Sequence, residues 1–396
     1  MAKFKHWIMN FQAFTRALLL VRRLFVRLFM LVCWFMPIKK NKVIIMNFRG
    51  KGFGDNGKPI ALKLMELFPE IDIVWATKDG SEKSLPKGIR SVPYNSLRFY
   101  REMATAGVWL NNFRMSKEII KRKGQFYIQL WHGGVPLKKI EKDTQATLEK
   151  TYIEHAIYDS QIADVIISGC DYYSNIVRTA FWYNGEILEC GTPRLDAFFS
   201  ITPDDVEKIR NAAGLPTDKK VILYVPTFRV DYRTDCYKID FERVLDELKA
   251  KTGDEWVVAV RLHPNVAWKA DFINYSDRVI NVTEYPDLYE LIPASDAVIS
   301  DFSSVMFEAG MLEKPVFLFA TDIEEYTKDR ELYFDMHTLP FILAESNDEF
   351  VEAIRTFDAN EYLFKLREFN KQMNYRETGN ASQIIAERIL KHVKNG

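Results

Sequence analysis

Two histidines stand where an apolar run gives way to a loop, and each can handle a proton or a phosphate near neutral pH. In FYIQLWHGGVPLK (126–138) the apolar run ends at Trp131, and His132 precedes Gly133-Gly134. Two glycines let the backbone turn sharply and leave room for a ligand beside the imidazole. Such a histidine can take the proton of an attacking hydroxyl; a histidine merely hydrogen-bonded to its turn fits the same residues. In WVVAVRLHPN (256–265) the pair His263-Pro264 fixes the turn, because proline restrains both itself and its predecessor. His263 and Arg261 can both meet a phosphate, although Arg261 falls on the opposite strand face from Leu262 and can equally be structural.

A third strand end carries the most physical information. In AVISDFSSVMFEAGMLEK (297–314) a buried strand stops at Asp301, and Ser303-Ser304 open a helix. Free backbone N–H groups, two hydroxyls and the positive end of the helix dipole suit a phosphate. Glu308, one turn on, suits ribose hydroxyls; an ordinary N-cap with a solvated Glu308 is the alternative. In VILYVPTFR (221–229), Arg229 follows the strand-ending Pro226 and can meet a pyrophosphate in bidentate fashion, or simply lie on the surface. The segment NFRGKGFGDNGKP (47–59) has neither a GK[ST] ending nor a GxGxxG followed by a well-placed acid. It reads as a flexible loop facing a cleft, with Arg49, Gly50, Gly52 and Asn56 on the side of an acceptor. No carboxylate cluster marks a tight metal site, and no cofactor is expected; loosely held magnesium stays open.

These strand ends need a scaffold, and the patterning supplies one. Strand-length apolar runs fall at 43–47, 71–76, 108–111, 126–131 and 165–168, with helical spacing at 59–68 and 117–123. A polar helix between two prolines, 201–218, reads as a connection. A second series follows at 221–225, 256–261, 279–282, 297–300 and 316–319, with helices at 241–251, 303–312, 348–357, 362–375 and 382–394. Alternation of this kind predicts parallel sheets covered by helices, with ligands at the carboxyl ends of the strands. The predicted organisation is therefore a basic apolar helix (1–40), a first α/β domain (41–200), a linker helix (201–218), a second α/β domain (219–375) and a terminal helix (376–396) that crosses back to the first.

Lys+Arg and Asp+Glu both number 54, which gives no support to a nucleic-acid binder. The balance hides an asymmetry: no acidic residue precedes Asp55, whereas eleven basic ones do. Residues 13–36 are rich in Leu, Phe, Met and Val but interrupted by Arg16, Arg22, Arg23 and Arg27, which a spanning helix would not carry. No small-residue cleavage site follows. A helix lying in the lipid headgroup layer fits, and so does one packed on the protein with its arginines at the rim. The four cysteines, Cys33, Cys170, Cys190 and Cys236, have no metal or disulfide spacing and fit a reducing compartment.

Taken in order, WHGGVPLKK (131–139), CGTPRLD (190–196), VPTFR (225–229), RLHPN (261–265), SDFSSVMFE (300–308) and RETGNAS (376–382) resemble the CDP-glycerol:glycerophosphotransferase family of teichoic acid synthesis. The similarity runs over roughly residues 43–390. It implies an α/β, GT-B-like fold of two Rossmann-like domains facing across a cleft, with the N-terminal basic amphipathic helix holding the protein peripherally on the cytoplasmic face of a bacterial membrane. It also implies a CDP-glycerol or CDP-ribitol donor in the second domain and a lipid-linked teichoic-acid-like acceptor toward the first. By position, His132 matches the family's general base and His263 its second essential histidine. Arg229, Ser303 and Ser304 fall at phosphate-facing positions and Glu308 at a nucleotide-binding one, with Pro264 and Asp301 in the same donor site. The aspartates of the family's late dDGxAS-like motif are replaced here by Glu377 and Thr378. Single-unit primases and polymerases share these motifs, and oligomeric state is open. A nucleotide-sugar glycosyltransferase or epimerase would share the fold, and a membrane-bound polymer-binding module would leave both histidines dispensable.

Overall fold

The computed structural model describes residues 2–395 apart from 79, 230, 264–265 and 267–271, and leaves out the side chains of 2–16, 329 and 395. Among the described residues thirteen strands form two sheets with every pairing parallel. The first sheet contains β1 (Lys39–Met46), β2 (Asp72–Thr77), β3 (Arg90–Pro93), β4 (Ala106–Asn111), β5 (Phe126–Gln129), β6 (Val165–Ser168) and β7 (Glu186–Glu189), in the order β3-β2-β1-β4-β5-β6-β7. The second contains β8 (Lys220–Tyr224), β9 (Trp256–Val260), β10 (Val279–Asn281), β11 (Ala297–Ser300), β12 (Val316–Phe319) and β13 (Ile342–Ala344), in the order β10-β9-β8-β11-β12-β13. Helices cover both: α1 (Ala2–Cys33), α2 (Gly57–Leu67), α3 (Leu97–Thr105), α4 (Lys150–Ile162), α5 (Asp171–Ala180), α6 (Pro203–Ala212), α7 (Phe241–Thr252), α8 (Leu288–Ala294), α9 (Val305–Met311), α10 (Ile323–Asp329), α11 (Asn347–Thr356), α12 (Ala359–Met373) and α13 (Ala381–Asn395).

The central strands are buried on both faces, which is why they read as unbroken apolar runs rather than alternating ones. Each sheet reverses its winding once, between β1 and β4 and between β8 and β11. Loops leaving the strands on either side of such a reversal open a crevice at the carboxyl edge.

The expected helix at 117–123 is irregular instead. Its cations are used for tertiary ties: Arg122 donates to the carbonyls of Trp34, Met36 and Ala104, and Lys121 to that of Ile162. The polar helix expected as a linker becomes α6, begun by a capping box between Thr202 and Asp205. It packs on the second domain, where Arg210 donates to the Ala294 carbonyl and pairs with Asp296 at 2.8 Å.

Two segments tie the domains together. Residues 137–139 run antiparallel to 331–333, with Lys139 N–H donating to Glu331 O and Tyr333 N–H to Leu137 O, both at 2.8 Å. At the C-terminus the chain returns: α13 places Ala381, Ile385, Ala386 and Ile389 in the apolar core beneath β1, β2 and β4. The return loop is pinned where Glu377 accepts from the Thr192 N–H at 2.8 Å and hydroxyl at 2.7 Å. Burial raises the Glu377 carboxyl to about 7, against the pull of these two hydrogen bonds. Asp196 then caps α13, accepting from the N–H groups of Ala381 and Ser382.

Candidate functional site

A cleft of about 570 Å³ lies between the carboxyl edges of the two sheets. The loop after β5 brings His132, Gly133, Gly134 and Lys138 to one wall. Loops after β8, β9 and β11 bring Thr227, Arg261, His263, Ser303 and Ser304 to the other. Among the described residues its lining includes two histidines, a lysine and an arginine, and no carboxylate.

His132 is oriented from below. Its Nδ1 lies 2.7 Å from the carbonyl oxygen of Asn112, and a carbonyl can only accept, so Nδ1 carries the proton. The neutral ring therefore keeps its lone pair on Nε2. Asn112, the residue after β4, is itself fixed at the winding reversal: its amide donates to Asn47 Oδ1 at 2.6 Å, and its Oδ1 accepts the Phe48 N–H at 2.9 Å. Rings of Trp131 and Phe48 pack on the imidazole at centroid distances of 4.4 and 5.7 Å. Trp131 holds a left-handed φ of 49°, and its N–H is caught by Gln129 Oε1 at 2.9 Å. Beneath it, Arg114 is buried between Glu141 and Asp159 and lies 4.9 Å from the Trp131 ring. The imidazole opens to the cleft, yet crowding by protein lowers its pKa. The Asn112 carbonyl and Asp55 oppose that shift; Arg194 and Arg114 add to it.

On the facing wall His263 packs on the Phe228 ring at 5.7 Å, and its pKa is lowered by burial and then by Lys138. Ser303 and Ser304 lie at the exit of β11. Ser303 Oγ accepts the Val305 N–H at 3.4 Å, while the Ser304 hydroxyl makes no capping bond to the seven-residue α9. Pro264 lies outside the described residues.

Several residues expected to touch a ligand serve the frame instead. Arg229 is buried between Asp301, at 2.9 Å, and Asp322, at 2.8 Å, so its charge is already matched. Asp301 also accepts the N–H groups of Thr227 and Phe302 and thereby ties two cleft loops together. Glu308 is inaccessible and pairs with Arg194, which also meets Asp55 at 3.3 Å; no surface remains for ribose hydroxyls. Asn56 is fully buried, donating to the carbonyls of Leu130 and Trp131 at 3.1 Å and accepting the Arg194 N–H. Gly50 is a packing requirement: at φ 92° a Cβ would stand 3.0 Å from Thr77 C and Tyr94 Cβ. Gly52 faces open space, and Arg49 is exposed over the Phe113 ring at 5.6 Å. The residues that sequence reasoning passed over are Asn112, Lys138 and Arg194. The last two stood inside motifs already singled out, WHGGVPLKK and CGTPRLD.

Two doubly wound domains closing on a cationic cleft define a mixed α/β protein with the GT-B type of architecture. The chain belongs to the CDP-glycerol:poly(glycerophosphate) glycerophosphotransferase family, whose profile matches residues 28–391. It is 32% identical over 371 residues to the teichoic acid poly(glycerol phosphate) polymerase of Staphylococcus epidermidis, covering 90% of this chain and 51% of that one. It is 31% identical over 369 residues to the teichoic acid glycerol-phosphate transferase of Staphylococcus aureus, covering 89% and 93% respectively. The chain thus spans about half the length of the S. epidermidis polymerase and nearly all of the S. aureus transferase. Among solved structures, the wall teichoic acid polymerase TagF, in a histidine variant soaked with CDPG, superposes with a TM-score of 0.84 at 30% identity, covering 96% of each chain. A UDP-N-acetylglucosamine 2-epimerase from Listeria monocytogenes, at 14% identity and a TM-score of 0.53, shares the fold alone.

Proposed function

We propose that the chain transfers a glycerol-phosphate unit from CDP-glycerol to the terminal hydroxyl of a lipid-linked, teichoic-acid-like acceptor and releases CMP. The observation that carries this reading is a cleft with no carboxylate among its described lining residues, in which His132, its lone pair left on Nε2, lines the wall opposite His263, Ser303 and Ser304. The acceptor hydroxyl loses its proton to Nε2 as its oxygen attacks the glycerol-side phosphorus. The bond from that phosphorus to the bridging oxygen breaks, and CMP leaves with the electron pair. The facing wall of hydroxyls and cations stabilises the charge spread over phosphate oxygens. Glycerol is favoured over ribitol because the glycerol-phosphate polymerase of S. epidermidis matches at 32% identity, against 26% and 24% for a ribitol-phosphate polymerase and primase of Bacillus spizizenii. Purified protein given CDP-glycerol and a lipid-linked acceptor should release CMP, and CDP-ribitol should serve poorly. A folded protein that releases none with either donor across several acceptors would remove the transferase reading.

The same reading places the protein on the cytoplasmic face of the bacterial membrane, held peripherally. Among the described residues no helix is long and apolar enough to cross a membrane. Val26, Met30 and Cys33 of α1 are buried against the body, while Leu20, Leu24, Phe25, Leu28 and Leu31 are exposed. An apolar face of this extent, flanked by Arg22 and Arg27 in a stretch without acids, suits anionic headgroups. The protein should sediment with phosphatidylglycerol vesicles, and Leu24→Glu with Leu28→Glu should abolish this; sedimentation unchanged by that pair would exclude α1 as the contact.

A further inference from the structure

The diphosphate of a nucleotide donor carries two negative charges, and the arginine expected to meet them is already occupied. Arg229 is buried between Asp301 and Asp322, and a second cation, Arg233, shares Asp322 at 2.8 Å. Two other cations reach the cleft with no carboxylate at ion-pair distance among the described residues. Lys138, on the strap that pairs with the second domain, makes no ion pair among the described residues; its amine stands 5.3 Å from the Tyr326 ring. Arg261, at the exit of β9, has a buried Nη1 with no hydrogen-bond partner. Buried donors left unmatched are costly, and a cleft built to hold an anion is where they are expected.

We infer that Lys138 and Arg261 hold the diphosphate of the donor from opposite domains, each supplying a positive charge that no described carboxylate meets at ion-pair distance; Asp301 and Asp287 act on them only from farther off. The inference rests on the nucleotide-donor reading above and deepens it. Lys138 belongs to the first domain, but its backbone neighbours are hydrogen-bonded to residues 331 and 333 of the second, which fixes it over the donor wall. Its amine is depressed to about 8 by burial, then by Arg330, with Asp301 opposing and Arg229 adding, as expected of a cation waiting for an anion. Its charge in turn reaches His263. With the strap paired, both charges are presented to the same cleft.

Calorimetric titration of CDP-glycerol into the full chain tests this. Lys138→Met and Arg261→Gln should each weaken binding about 10- to 100-fold, the range for charged hydrogen bonds in a desolvated site. Each should also make binding less sensitive to salt, which a misfolded or loosened site would not do selectively. Lys138→Arg should restore most of the affinity, and melting temperatures should stay near that of the parent. Binding by the parent that neither substitution alters, in affinity or in salt dependence, would overturn the clamp and leave the donor reading standing. No binding of CDP-glycerol by the parent would remove the donor reading and the clamp with it.

Discussion

Replacing His132 by alanine is expected to slow CMP release about 10²- to 10⁴-fold while leaving the protein folded. The size follows from what the imidazole does. Its free nitrogen is set by a built contact, Nδ1–H to the Asn112 carbonyl, so that Nε2 meets the incoming hydroxyl already as a base. His132→Gln sharpens the test, because its amide can still donate toward Asn112 but offers no basic nitrogen; it should be nearly as slow as alanine. The pH dependence has a definite sign. A base must be unprotonated to act, so activity is lost as pH falls through its pKa. Burial lowers that pKa below the ordinary imidazole value of about 6.5. The acid limb of kcat/KM should therefore lie under that value and vanish from the residual rate of the alanine variant. A folded His132→Ala protein within tenfold of the parent, or one with the limb unchanged, would take the role of base away from this residue.

The strand ends that carry the cleft were legible because their strands are buried on both faces, and an unbroken run such as Trp256–Val260 announces where it stops. His132, His263, Ser303 and Ser304 follow such runs, and the structure lines one cleft with them. Three strands left no such mark. β3, β7 and β13 are sheet edges, three or four residues long and partly exposed, two of them carrying the charge or proline that blunts an edge. The site residues divide along the same line. Whether an arginine is free depends on carboxylates far along the chain, and nothing near Arg229 shows that Asp301 and Asp322 will enclose it. For Arg261 the sequence left a phosphate contact and a structural role both open, and strand phase does not show its unmatched Nη1. The late loop that departs from the family motif has a physical role: Glu377 stands where its carboxylate grips Thr192 and fixes the crossing back to the first domain.

Arg194→Met is expected to destabilise the fold by about 3–5 kcal/mol, more than any single change in the cleft, because it strands charges that water cannot reach. Arg194 and Glu308 have side chains 2% exposed and Asp55 7%, and the three come from both domains. The guanidinium also lies 4.6 Å from the Tyr289 ring of α8. Burial already raises the Glu308 carboxyl, with Arg194 opposing. Without Arg194 that opposition disappears, and a carboxyl whose folded pKa is raised costs stability increasingly as pH climbs past its unfolded value. The variant should therefore approach the parent in mildly acidic buffer and fall behind it at neutral pH. Glu308→Gln removes the charge yet keeps an acceptor for Arg194, so its cost should be nearer 1–2 kcal/mol. Adding Glu308→Gln to Arg194→Met should recover part of the loss, since one stranded charge is gone. Because this network joins the two domains, its loss should also split a single melting transition into two, the second domain separating from a first domain still capped by α13. A melting curve for Arg194→Met that is single and within about 1 kcal/mol of the parent at neutral pH would mean that solvent or a rearranged side chain reaches Glu308, and that the domains are held by the 137–139 strap and the 374–382 crossing instead.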